Sequence, residues 1–171
     1  KKPCLFFDRD GIVNVSPGAG YVERWADFHF QPEFLEALKR VHERGYEAVI
    51  ITNQRGVARG IMTQAALDEI HRNMRRELEQ KRLPLLDTYV CTDDDDASPR
   101  RKPNPGMLLE AAAEHQLDLA RSWMVGDNKK DVEAGVRAGC RTILVSSAPL
   151  AVRPDYRVST MHELLLLFEK I

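Results

Sequence analysis

Pro3-Cys4-Leu5-Phe6-Phe7-Asp8-Arg9-Asp10-Gly11 opens the chain with a short apolar run that ends in two carboxylates and a glycine. A run of this length bounded by turn-forming residues predicts a strand over Pro3 to Phe7, with Asp8 and Asp10 emerging where it ends. In extended chain, residues two apart point to the same side, so both carboxylates can face one space. A surface turn uses the same residue types, because Asp and Gly favour turns, and this stretch alone does not separate the two readings.

Outward from it, short apolar runs alternate with segments of helical period. That alternation predicts an α/β fold: a Rossmann-like, doubly wound, mostly parallel sheet with helices on both faces. A loop from Gly11 to Gln31 leads to a helix from about Pro32 with Phe34, Leu35, Leu38 and Val41 on one stripe, stopping at Gly45. Glu47 to Ile51 reads as the second strand. Thr63 caps a long helix whose Leu67, Ile70, Met74 and Leu78 face inward. Its basic residues Arg72, Arg75, Arg76, Lys81 and Arg82 read as a solvated face, with an anionic partner as the alternative. Leu86 to Cys91 is the third strand, and a polar loop from Thr92 to Pro103 precedes a helix with Asn104 as N-cap and Pro105 at N1. Ser122 to Val125 is the fourth strand, followed by a helix over Lys129 to Ala138. Arg141 to Val145 is the fifth strand, and Met161 to Lys170 the last helix.

At 171 residues, 43% hydrophobic and 30% charged, the chain has the size and core of one domain, expected to span 1–171. Its 25 basic and 26 acidic residues nearly cancel, so no global field points to nucleic acid, and no apolar run approaches a membrane span. Cys4, Cys91 and Cys140 are too few and scattered for a disulfide framework, and no signal-like apolar segment is visible. A soluble, cytoplasmic protein is the expectation.

Four polar clusters fall at predicted strand ends, where open α/β sheets bind ligands. Beyond Asp8 and Asp10, Thr52 and Asn53 end the second strand as hydrogen-bond donors for phosphate oxygens. Arg101 and Lys102 supply cations at a helix start, and Lys102 can neutralise charge on a phosphoryl group and an attacking carboxylate. Gly126-Asp127-Asn128-Lys129-Lys130-Asp131 is a further strand-to-helix turn, in which Asp131 also suits the helix dipole. Each cluster alone has a bland explanation. Together they supply carboxylate oxygens for a hard cation and donors for a phosphoryl group.

In this order, Asp8-x-Asp10-Gly11, Thr52, Lys102 and Gly126-Asp127-x3-Asp131 resemble the haloacid dehalogenase (HAD) phosphatase superfamily. The resemblance implies a magnesium-dependent phosphomonoester hydrolase that passes through an aspartyl-phosphate. It makes Asp8 the nucleophile and a Mg²⁺ ligand. Asp10 becomes the general acid and base and gives a backbone carbonyl to the metal. Asp127 is a second carboxylate ligand, and Asp131 orients Lys102 or a water on the metal. Asp10 is expected to hold a proton, its pKa raised by the carboxylate nearby. Between motifs there is room for only one loop, one helix and one strand, so no cap domain is expected.

Within capless members, Phe6-x-Asp8-Arg9-Asp10-Gly11 with Asn14, Gly20-Tyr21-Val22, Thr52-Asn53-Gln54, Ala58-Arg59-Gly60, Arg101-Lys102-Pro103 and Pro105-Gly106-Met107 is similar to the histidinol-phosphate and D-glycero-D-manno-heptose 1,7-bisphosphate phosphatases. The heptose branch is the nearer, with Arg101-Lys102 matching its substrate-contacting pair, which implies a small sugar phosphate as partner. That family holds a structural zinc in the loop before the lysine. Here Cys91 is the one ligand left, with Asp93, Ser98 and Arg100 in place of the others, so no structural zinc is expected. Histidinol phosphate, a polynucleotide 3′-phosphate and a receiver-like phospho-acceptor module are the alternatives. The balanced charge disfavours the polynucleotide, and the order of motifs disfavours the receiver.

Overall fold

The structure, a computed structural model, describes residues 1–171. Six strands, β1 (Cys4–Phe7), β2 (Glu47–Asn53), β3 (Asp87–Cys91), β4 (Trp123–Gly126), β5 (Arg141–Val145) and β6 (Tyr156–Val158), form one sheet. Their order is β3-β2-β1-β4-β5-β6, and every pairing is parallel. Helices α1 (Pro32–Glu43), α2 (Gln64–Gln80), α3 (Gly106–His115), α4 (Lys129–Ala138) and α5 (Met161–Leu167) cover it.

A strand buried on both faces has no polar side, and β1 shows why. Leu5 and Phe7 pack with Phe34 and Leu38 of α1, Ile70 and Met74 of α2, and Leu164 of α5. Cys4 and Phe6 pack on the other face with Met107 and Leu108 of α3 and Ala134 of α4. The chain runs β1 to β3 in one direction, then crosses to β4 on the other side of β1. At such a reversal the connecting loops part, and the crevice lies beyond the carboxyl ends of the two central strands. Asp8 follows β1 and Gly126 ends β4, so the reversal sets the first and last motifs beside each other. A receiver fold reverses one strand earlier, with the order 2-1-3-4-5.

No cap domain is present: one loop, one 3-10 turn at Trp25–Asp27 and α1 join β1 to β2, and one loop and α2 join β2 to β3. No helix is long and apolar enough to cross a membrane.

Beyond shifts of one to three residues at the ends of β1, β3, β4 and α5, three details differ from the sequence expectation. β2 runs two residues further, to Asn53, so Thr52 and Asn53 lie on the strand itself. The edge strand β6 is short and mostly exposed, with no apolar run to mark it. Asn104 does not cap α3, which starts after Pro105 without a side-chain cap. The preceding loop folds over that helix end, where Gly106 N–H donates to Pro99 O at 2.9 Å. A Cβ on Gly106 would lie 2.3 Å from that oxygen. The Asn104 amide is therefore drawn to the loop and donates to the carbonyls of Asp96 and Ser98. On α2, Arg75 lies 3.4 Å from Asp87, while Arg72, Arg76, Lys81 and Arg82 are exposed.

Candidate active site

The carboxyl ends of β1, β2 and β4 border a cleft of about 350 Å³, and all eight residues singled out from the sequence line it. Lys102 is its centre. Its Nζ donates to Asp8 Oδ1 at 2.8 Å, Asp131 Oδ1 at 2.6 Å and Ile51 O at 2.9 Å. Three N–H groups meet three acceptors, so the ammonium is saturated although its residue is only 3% exposed. Burial pulls its pKa down, but Asp131 and Asp8 outweigh that and raise it.

The loop carrying Lys102 is clamped through its backbone. Asn53 Nδ2 donates to Lys102 O at 3.1 Å, and Lys102 N–H donates back to Asn53 Oδ1 at 3.1 Å. These bonds use the Asn53 oxygen and one amide N–H, and the second N–H is left for another acceptor. Thr52 Oγ1 accepts from Gln54 Nε2 at 3.0 Å, which leaves the hydroxyl hydrogen for another acceptor.

Asp131 has both oxygens in use. Oδ1 takes Lys102, and Oδ2 takes the Asn128 N–H at 3.1 Å in a capping box that starts α4. Asp131 therefore orients the lysine. Asp127 lies opposite, so close to the turn after β1 that a Cβ on Gly11 would stand 2.0 Å from its Oδ2. Gly11 also has φ of +90°, so a side chain there is excluded twice over.

Asp8, Asp127 and Asp131 have carboxylate oxygens within 4.8 Å of one another. Burial and then the Asp131 charge push Asp8 well above the usual carboxylate range and Asp127 up to about 6. Three close carboxylates and one ammonium leave surplus negative charge. A hard divalent cation fits this donor set, and the oxygens free to take it belong to Asp8 and Asp127.

Asp10 faces the cleft from the same loop. Its Oδ1 accepts from Arg9 Nε at 3.1 Å, Arg9 NH2 at 3.0 Å and Asn14 Nδ2 at 2.9 Å; its Oδ2 accepts from Gln54 Nε2 at 3.1 Å. The expected raised pKa is not found here. Burial pushes the carboxyl up, but the Arg9 charge and the donors Asn14 and Gln54 hold it below its usual value. A phosphoryl anion bound beside it acts in the opposite sense.

The rim comes from two loops. Val15 N–H donates to His29 O and Gln31 N–H to Val13 O, closing the first loop at its base so that Ser16 to Tyr21 overhang the cleft. Tyr21 OH accepts from Arg55 Nε at 3.3 Å. The second loop follows β3 and is tied by Arg101 Nε to Asp96 at 3.1 Å, Ser98 Oγ to Asp93 at 2.6 Å and Arg59 Nε to Asp94 at 3.0 Å. Of the residues that stand in place of zinc ligands, Asp93 and Ser98 bond each other, and Arg100 bonds Glu110 and Val90 O.

Arg9, Gln54 and His71 were not assigned roles from the sequence. Two had signals. The period of two turns Arg9 to the face opposite Asp8, and His71 is a polar residue on the Leu67-Met74-Leu78 stripe of α2. Gln54 acts through a bend after β2 that no pattern marks.

Residues 99–162 match the HAD-hydrolase-like family model, a span holding Lys102, Asp127 and Asp131. The D-glycero-beta-D-manno-heptose-1,7-bisphosphate 7-phosphatase of Helicobacter pylori is 38% identical over 150 residues, 86% of this chain and 85% of that one. The D-glycero-alpha-D-manno-heptose-1,7-bisphosphate 7-phosphatase of Photorhabdus laumondii is 34% identical over 81% of this chain and 79% of its own. Among solved structures, the D,D-heptose 1,7-bisphosphate phosphatase of B. bronchiseptica, complexed with magnesium and phosphate, superposes with a TM-score of 0.83 at 30% identity, covering 99% of both chains. Identity at this level across most of the chain, on a shared fold, shows the family: the chain belongs to the capless phosphatases of the HAD superfamily, with the heptose-bisphosphate phosphatases among its relatives.

Proposed function

We propose that residues 1–171 act as one cytoplasmic, Mg²⁺-dependent phosphatase domain that removes the 7-phosphate of a D-glycero-D-manno-heptose 1,7-bisphosphate through an aspartyl-phosphate on Asp8. The observation that carries this reading is the Lys102 ammonium held between Asp8 and Asp131, with the Asp127 carboxylate across the cleft. The three free, buried cysteines suit a reducing compartment.

Asp8 attacks phosphorus, and the bond to the sugar oxygen breaks. Lys102 lowers the repulsion between two anions by standing beside the nucleophile. Thr52 donates its hydroxyl to a phosphoryl oxygen, and Arg101 faces the same cleft with its guanidinium held by Asp96. Asp10 gives a proton to the departing sugar oxygen and then takes one from the water that opens the aspartyl-phosphate. Mg²⁺ on Asp8 and Asp127, with the Asp10 carbonyl, supplies charge stabilisation for the phosphoryl group.

Mg²⁺ and protons compete for the same carboxylates. Asp127, with its pKa up to about 6, is mostly protonated in the metal-free fold at pH 5 and mostly ionised at pH 7. A carboxyl raised on folding lowers metal-free stability above that value, and the loss is recovered as pH falls toward the unfolded value of about 4. The rise in Tm on adding Mg²⁺ to chelator-treated protein should therefore be larger at pH 7 than at pH 5, by roughly 2–4 °C or more. Equal rises at the two pH values would take the cation off Asp127.

The substrate is tested by phosphate release with Mg²⁺ from both anomers of the heptose bisphosphate, histidinol phosphate and a 3′-phosphorylated oligonucleotide. The heptose bisphosphates are expected to give the highest kcat/KM. Preference for either of the others would overturn the substrate assignment and leave the chemistry standing.

A further inference from the structure

Arg9 is fully buried, and its guanidinium does not enter the cleft. It reaches Asp10 from behind, with Nε and NH2 both on Oδ1, while its NH1 lies 2.9 Å from Nε2 of His71 on α2. The Phe28 ring lies 5.8 Å from the guanidinium carbon. An arginine only donates, so His71 Nε2 must be the acceptor, with the imidazole neutral and its proton on Nδ1. Burial and then the Arg9 charge keep that imidazole unprotonated, with a pKa down to about 3.

This arrangement makes the two oxygens of Asp10 unequal. Oδ1 accepts three N–H bonds, two from Arg9 and one from Asn14, and has no direction left for a proton. Oδ2 accepts one, from Gln54, and can take a proton or present one. We infer that Arg9, braced by His71, is a positioning residue that reserves Oδ2 of Asp10 for proton transfer to and from the reacting oxygens, an inference that rests on the acid and base reading of Asp10. Without the His71 acceptor, a buried N–H of Arg9 has no partner, the guanidinium turns to find one, and Oδ1 is released.

The consequence appears where proton donation matters. A sugar alkoxide needs a proton to leave, whereas 4-nitrophenolate leaves nearly unaided. The test is acid-quenched single turnover, measuring phosphoenzyme formation from the heptose bisphosphate and from 4-nitrophenyl phosphate for wild type, His71→Ala, His71→Gln, Arg9→Lys and Asp10→Asn.

For His71→Ala and Arg9→Lys, the expected loss is about 10- to 100-fold on the heptose bisphosphate and no more than about threefold on 4-nitrophenyl phosphate. His71→Gln, whose side-chain oxygen can take the place of Nε2, should return the heptose rate to within about threefold of wild type. Should His71→Ala fail to fold, Arg9→Lys and His71→Gln make the same comparison. Equal losses on both substrates would show that the Arg9–His71 pair merely supports the fold, and unchanged rates that it does nothing for Asp10; either overturns the inference. An Asp10→Asn enzyme that forms phosphoenzyme from the heptose bisphosphate as fast as wild type refutes the acid and base reading itself, a result distinct from the other two.

Discussion

Asp8→Asn should lower kcat by about 10⁴-fold or more with no phosphoenzyme trapped on acid quench, because single removal of a nucleophile leaves little beyond binding and electrostatics. The change is nearly isosteric. The amide oxygen can still accept from Lys102 Nζ in place of the carboxylate oxygen 2.8 Å away, so the loop after β1 should hold. Circular dichroism and a melting curve would show an intact fold, which ties the loss to chemistry. Asp10→Asn gives the contrast. Its amide can still accept from Arg9, but it can neither give nor take a proton, so a loss of about 10²–10⁴-fold is expected. With 4-nitrophenyl phosphate, Asp10→Asn should accumulate phosphoenzyme, since only the second step then needs the base. Near wild-type turnover by Asp8→Asn would sink the covalent mechanism, and unchanged rates in Asp10→Asn would remove its proton-transfer role.

What could be read in the residues follows a physical divide. β1 and the stripes of α1 and α2 are legible because a buried strand is apolar throughout and an amphipathic helix repeats near 3.6 residues. The strand ends are legible because the sheet places polar residues there for a reason other than packing. β6 is not, since three mostly exposed residues at a sheet edge bury too little to leave a pattern. Asn104 misled because an Asn before Pro favours an N-cap locally, whereas here the loop over α3 competes for the same amide and wins two carbonyl acceptors. Asn53 shows another limit: its residue type suits a phosphate contact, but only the fold shows that a backbone 49 positions away in sequence takes its oxygen and one of its amide hydrogens. The protonation of Asp10 was the largest difference. Its nearest partner is the cation beside it in the chain, and only the fold shows that this cation turns back toward it.

Lys102→Met should be the most disruptive change to the site that keeps the side chain's length. Removing one partner of a buried ion pair commonly costs about 3–5 kcal/mol, a large fraction of the 5–15 kcal/mol that holds a domain folded. Here the loss strips three acceptors at once, and Asp8 and Asp131 are left facing each other and Asp127 without the only ammonium among them. Asp8 already stands well above the usual carboxylate range with Lys102 in place, and its pKa rises further without it. A raised carboxyl penalises the fold above its pKa, so the destabilisation should be greatest near pH 7 and shrink as pH falls toward 5. Urea melts of wild type and variant in chelator at both pH values measure this directly. Mg²⁺ should restore part of the stability, since it supplies positive charge to the same carboxylates, but not turnover, because a divalent ion cannot reproduce the bonds from one ammonium to Asp8, Asp131 and the Ile51 carbonyl. A loss of activity of about 10³-fold is expected from removing a preorganised charge at the reacting centre. Lys102→Met that melts like wild type at pH 7 without metal would mean that the ammonium is not what keeps these carboxylates together.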